Sequence, residues 1–71
     1  MKTYQFHTNI NCGNCIAKVT PALNEEFDIL EWSVDTDNPK KVLTVKGEDE
    51  LTEAQVMAAV EKVGFKIEKA G

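Results

Sequence analysis

A chain of 71 residues, 42% hydrophobic and 28% charged, is too short for two domains and too apolar for a disordered segment, so a single domain over residues 1–71 with a thin core is expected. Eight basic side chains, all lysine, face 12 acidic ones for a net charge of −4, and "PKK" at 39–41 is the sole basic run, which excludes the footprint of a nucleic-acid binder. No apolar run approaches the roughly 20 residues that span a bilayer, and the opening "MKTYQFHTN" lacks the apolar core and cleavage site of a signal peptide, so a cytoplasmic protein is expected if the chain is complete.

In chain order, "TYQFHTNI" alternates. Tyr4, Phe6 and Ile10 share one phase with Thr8 between them, and Gln5, His7 and Asn9 take the other, which predicts a strand with one polar face. In "CIAKVTPALNEEF", Ile16, Val19, Leu23 and Phe27 recur at helical spacing. The helix is expected to start near Asn14 as N-cap and to bend at Pro21, which removes a hydrogen bond beyond the first turn. "DILEWSVDTD" reads as a strand with Leu30, Trp32 and Val34 in phase. "TDNPKK" supplies turn residues, and "KVLTVKG" forms a second strand through Leu43 and Val45, closing a hairpin. "ELTEAQVMAAVEKVG" begins with Thr52 as N-cap and ends at Gly64, with Val56, Ala59, Val60 and Val63 as its buried stripe. "FKIEK" alternates again, with Phe65 and Ile67 inward. The order strand, helix, strand, strand, helix, strand is the ferredoxin-like βαββαβ pattern of the α+β class. It implies a four-stranded antiparallel sheet with both helices on one face.

The chemistry concentrates in "TNINCGNCIAKV", which holds both cysteines, Cys12 and Cys15, in a C-x-x-C spacing. Such a pair in a reducing compartment is a metal or redox site before it is a structural disulfide. Cys12 is expected at the end of a loop and Cys15 in the first helical turn, where residues three apart share a side and the two sulfurs can converge. The positive end of the helix favours thiolates, the form that binds metal. Gly13 is expected to give the loop a conformation other residues resist.

Three functional readings compete. A thiol–disulfide redox protein uses the same spacing, but Asn11, not an aromatic residue, precedes Cys12, and the two prolines fall in the first helix and the hairpin turn. A closed zinc site takes four ligands. Here two sulfurs and His7, in the outward phase of its strand, would need a second molecule to complete the set. A shuttle for a soft ion needs only two thiolates, which suit Cu(I) and leave it open to a third sulfur from another protein. The bland alternative is a pair of incidental small residues, an uncommon arrangement for two cysteines in a polar loop opening a helix.

Nearly the whole chain resembles the heavy-metal-associated (HMA) domain family, which includes small copper chaperones and the N-terminal domains of copper-transporting P-type ATPases. "INCGNC" stands where the family has M-x-C-x-x-C, and "YQF" and "AAVEKVGFKIE" look like its first strand and second helix. The resemblance implies Cys12 and Cys15 as metal ligands, Cu(I) as cargo with Zn(II) or Hg(II) as alternatives, and no enzymatic activity. It also implies transfer by ligand exchange to a copper-transporting P-type ATPase or another C-x-x-C domain, by a chain that is monomeric without metal and able to form a metal-bridged dimer. Ile10 replaces the family's methionine, which generally packs beneath the loop without ligating. Phe65 stands where bacterial chaperones tend to carry Tyr and eukaryotic ones Lys, and it shields the sulfurs or simply packs in the core. Lys18 reads as solvated, Met57 as packing and Trp32 as core. The acidic runs "NEE" and "EDE" read as solvated faces or as selectors of a basic partner. The start at Met1 and the ending "EKAG" favour a free small protein over a transporter fragment.

Overall fold

The alternation of the first segment becomes β1 (Lys2–Thr8), followed by α1 (Gly13–Asn24), β2 (Ile29–Asp35), β3 (Val42–Gly47), α2 (Glu53–Lys62) and β4 (Ile67–Lys69). The computed structural model describes residues 1–10 and 13–70. The four strands form one sheet in the order β2-β3-β1-β4, with every neighbouring pair antiparallel. Phe6 of β1 and Leu43 and Val45 of β3 join Val19 and Leu23 of α1 and Val56 and Val60 of α2 in a single buried cluster. Both helices therefore cover the same sheet face, as the ferredoxin-like pattern requires. Each of these side chains contributes about 1.5–3 kcal/mol through removal from water.

The second helix starts and stops where its sequence indicates. Thr52 is the N-cap: its hydroxyl accepts the Gln55 N–H, and its own N–H donates to Gln55 Oε1 at 2.8 Å, a reciprocal capping box. At the other end Val63 is the C-cap and Gly64, at φ +94°, is the residue just beyond it. The Gly64 N–H donates to Glu61 O at 2.9 Å and the Phe65 N–H to Val60 O at 3.4 Å. This is the Schellman pattern, which needs a left-handed residue at Gly64 and turns Phe65 back onto the core.

The first helix runs through Pro21 to Asn24. Pro21 has no N–H to donate to the Ala17 carbonyl, and both residues are exposed. The expected N-cap, Asn14, lies inside the first turn, since the helix begins at Gly13. Phe27 does not continue the buried stripe and is 96% exposed. The helix stops one turn earlier, where the Glu26 N–H closes a tighter bond to Leu23 O at 3.2 Å, and Phe27 falls in the reversal that leads into β2.

Leu30 also departs from expectation. The β2–β3 register slips between Ile29 and Glu31: Ile29 faces Gly47 and Glu31 faces the adjacent Lys46, leaving Leu30 as the extra residue of a bulge. Ile29, Trp32 and Val34 pack on the core, while Leu30 is 55% exposed. The bulge changes the phase of the strand, so simple alternation places Leu30 on the wrong face. The Trp32 indole N–H donates to Asn24 Oδ1 at 3.2 Å, tying β2 to the end of α1.

Candidate metal centre

The segment that leads to the cysteine pair is fixed by short polar contacts. The Thr8 hydroxyl, at the end of β1, donates to Lys41 O at 2.7 Å and accepts the Ile10 N–H at 3.2 Å. The Thr8 N–H also donates to Lys40 O at 3.1 Å. Lys41 adopts φ +47°, unusual for a side-chain-bearing residue. It is held there by Thr8 and by its own ammonium, which donates to Thr36 O at 2.6 Å. Thus the β2–β3 turn is fastened to the last residues before the cysteine loop.

Asn9 makes a second fastening. Its Oδ1 accepts the Lys66 N–H at 2.9 Å, next to Phe65. Thr8 pairs with Ile67 in the β1–β4 ladder, so the segment after α2 runs alongside the loop entry. Phe65 is half-buried against the core, in keeping with a packing role. Ile10 is fully buried in the central cluster. The last described residue before the cysteine pair is therefore held in the core.

Cys15 lies in the first turn of α1, half-buried and packed against the core with Ile16. That first turn carries no carboxylate, so the positive end of the helix is not neutralised by its own side chains. Cys12 lies outside the described residues, and its assignment as a ligand stays with the sequence. Gly13 is the first residue of α1, and a Cβ built on it meets nothing within 4 Å. The freedom expected of this glycine concerns the cysteine loop, part of which lies outside the described residues.

His7 points away from this centre. Its neighbour Phe6 enters the core, whereas His7 lies on the outer sheet face, pairs with Val42 and Glu68, and has Nδ1 3.9 Å from Glu68 Oε1. It lines a cavity of about 380 Å³ with Asn9, Lys40 and Lys66 on that outer face. Lys18 is exposed and Met57 is half-buried against the core. The contributions of Thr8, Asn9 and Lys66 to the loop have little signature in sequence. Thr8 alone gives a hint, as a polar residue in the inward phase of its strand.

The family profile of the heavy-metal-associated domain matches residues 6–66. No curated protein matches the sequence. Among solved structures, the N-terminal domain of ZntA in its Zn(II) form is 23% identical, with a TM-score of 0.78 over 96% of this chain and 90% of that one. The CopZ metallochaperone is 22% identical, with a TM-score of 0.83 over 94% of this chain and 100% of that one. A copper binding domain from HMA7, a P-type ATPase, is 20% identical, with a TM-score of 0.84 over 100% of this chain and 96% of that one. At these identities the likeness establishes a common fold. Among the described residues, no helix is long and apolar enough to cross a membrane.

Proposed function

The chain belongs to the heavy-metal-associated domain family, and from that premise we propose that residues 1–71 act as one domain that carries a soft metal ion between Cys12 and Cys15 and is not an enzyme. The observation that carries this reading is the placement of Cys15 in a carboxylate-free first helical turn, beside a loop entry pinned by Ile10, Thr8 and Asn9. Two thiolates at this spacing suit Cu(I), which accepts low coordination. Zn(II) and Hg(II) are the alternative cargoes. The outward position of His7 argues against its completing a closed zinc site with the two cysteines.

Transfer proceeds by ligand exchange. A thiolate of a partner's C-x-x-C binds the ion while both resident sulfurs still hold it. One resident sulfur–metal bond then breaks, the partner's second thiolate binds, and the last resident bond breaks; each released thiolate takes up a proton equivalent to the one that an incoming partner thiol gave to the solvent. The ion's charge does not change. The partner of this reading is a copper-transporting P-type ATPase or another C-x-x-C domain in the cytoplasm, met by a chain that is monomeric without metal and can form a metal-bridged dimer.

Anaerobic titration of the reduced chain with Cu(I), Zn(II) and Hg(II), followed by NMR, tests the proposal. The expected result is one equivalent of Cu(I) per chain, with shifts confined to residues 10–18 and the surroundings of Phe65. The double variant Cys12→Ser/Cys15→Ser is expected to lose this binding while keeping the fold. Unchanged Cu(I) affinity in that variant overturns the reading.

A further inference from the structure

The end of the molecule opposite the cysteine loop carries an exposed apolar corner set among carboxylates. β1 runs from Lys2, paired with Gly47, to Thr8 at the loop entry, so Gly47 and the start of β2 lie at the far end of the sheet. There "NEEFDIL" meets "GEDEL": the Glu48 N–H donates to Asp28 O at 2.8 Å, and Gln55 Nε2 donates to Asp28 Oδ2 at 3.2 Å. Glu25, Glu26, Asp28, Glu48, Asp49 and Glu50 all belong to these two segments. Of these six, Asp49 alone has an ion pair among the described residues, and its partner is the N-terminal ammonium.

Phe27 stands between these acidic residues at 96% exposure, and the β2 bulge leaves Leu30 at 55% exposure. Neither side chain serves the core. A lone exposed apolar residue is ordinary. The bulge re-aims Leu30 outward, three residues from the exposed Phe27. Nothing in metal carriage uses either one.

We propose that this corner is a second docking site, for a protein partner that presents an apolar socket bordered by lysine and arginine. Charge decides among the occupants. A second copy of this chain would bring the same carboxylates face to face, and an anionic bilayer would repel them in the same way. A basic protein surface is attracted to the rim while its socket removes Phe27 and Leu30 from water. Because the corner lies at the far end of the sheet, such a partner leaves the cysteine loop open. The chain can then be held at one end while metal is exchanged at the other.

The test uses the reduced, metal-free full chain, so it does not depend on the role of the cysteines. ¹⁵N-labelled chain is titrated with an amphipathic lysine–leucine helical peptide at low and at physiological salt. Expected are shifts at residues 25–30 and 48–50, and affinity at least about tenfold weaker for Phe27→Ser/Leu30→Ser. The melting temperature of that variant is expected to fall only slightly, because Phe27 is almost wholly exposed and Leu30 more than half exposed. Glu25→Gln/Glu26→Gln is expected to weaken binding and flatten its salt dependence. Four results overturn the proposal: no shifts up to about 1 mM peptide; equal affinity in the Phe27/Leu30 variant; shifts that follow every carboxylate, including Asp35, Asp37 and Glu68; or preferential self-association or binding to phosphatidylglycerol vesicles.

Discussion

The Asn9 side-chain carbonyl accepts the Lys66 N–H at 2.9 Å, joining positions 57 residues apart in the chain. This bond fixes the segment bearing Phe65 beside the residues that lead into the cysteine loop. Asn9→Ala is expected to lower stability by about 1 kcal/mol, the usual net contribution of one such bond. It is also expected to shift the amide resonances of Phe65 and Lys66 more than those of β2. Urea denaturation and a ¹⁵N spectrum check both. An unchanged Lys66 amide would show that the contact contributes nothing in solution.

Ile10 tests how the segment before the cysteine pair is held. It is fully buried, so Ile10→Ala is expected to cost about 2–5 kcal/mol through lost transfer energy and a residual cavity. Ile10→Met, which restores the family's residue at nearly the same volume, is expected to cost less than about 1.5 kcal/mol. If the loop positions the metal as proposed, the methionine variant keeps Cu(I) affinity. A large gain in affinity with methionine would instead show that its sulfur takes part in binding.

Two glycines give opposite expectations. A Cβ on Gly47 would run into the Asp28 carbonyl oxygen and Leu51 Cδ2, so Gly47→Ala is expected to cost about 1–3 kcal/mol through overpacking. Gly13 has open space and an ordinary helical conformation, so Gly13→Ala is expected to be neutral or stabilising by up to about 1 kcal/mol. Paired thermal melts decide the question. A collapse of stability in Gly13→Ala would show that the loop depends on glycine.

Element order and core were legible in the sequence because period and caps agreed. Phe6, Val19, Leu23, Leu43, Val45, Val56 and Val60 all stand in the cluster that their spacing indicates. Thr52 and Gly64 announced the ends of α2 because each has a specific backbone task. Leu30 and Phe27 were misplaced for a shared reason: periodicity carries no signal for where a helix stops or a strand gains one residue. At the candidate site, the inward position of Ile10 was legible in the alternation of its segment. The bonds from Thr8 to Lys41 and from Asn9 to Lys66 were not, because they join residues distant in the chain whose types alone do not select those partners.

The N-terminus supplies a pH test. Asp49 accepts a hydrogen bond from the terminal ammonium at 2.9 Å. That bond, then the ammonium's charge, and to a lesser degree Lys2, hold its carboxyl below the usual aspartate range against a small opposing desolvation. A depressed carboxylate contributes stability above its unfolded pKa and loses it as pH falls through the folded value. Both partners are exposed, so the contribution is small. NMR titration is expected to place the Asp49 midpoint below the ordinary aspartate range, and N-terminal acetylation to move it upward. An unmoved midpoint would show that the pair does not form.

The edges of the sheet have a consequence for how the chain meets others of its kind. β2 is interrupted by the Leu30 bulge and carries Glu31 and Asp35, and β4 has only three residues, two of them charged. Neither edge offers a long, flat row of unpaired backbone groups. Crowded copies of the chain are therefore discouraged from zipping strand to strand into a continuous ribbon.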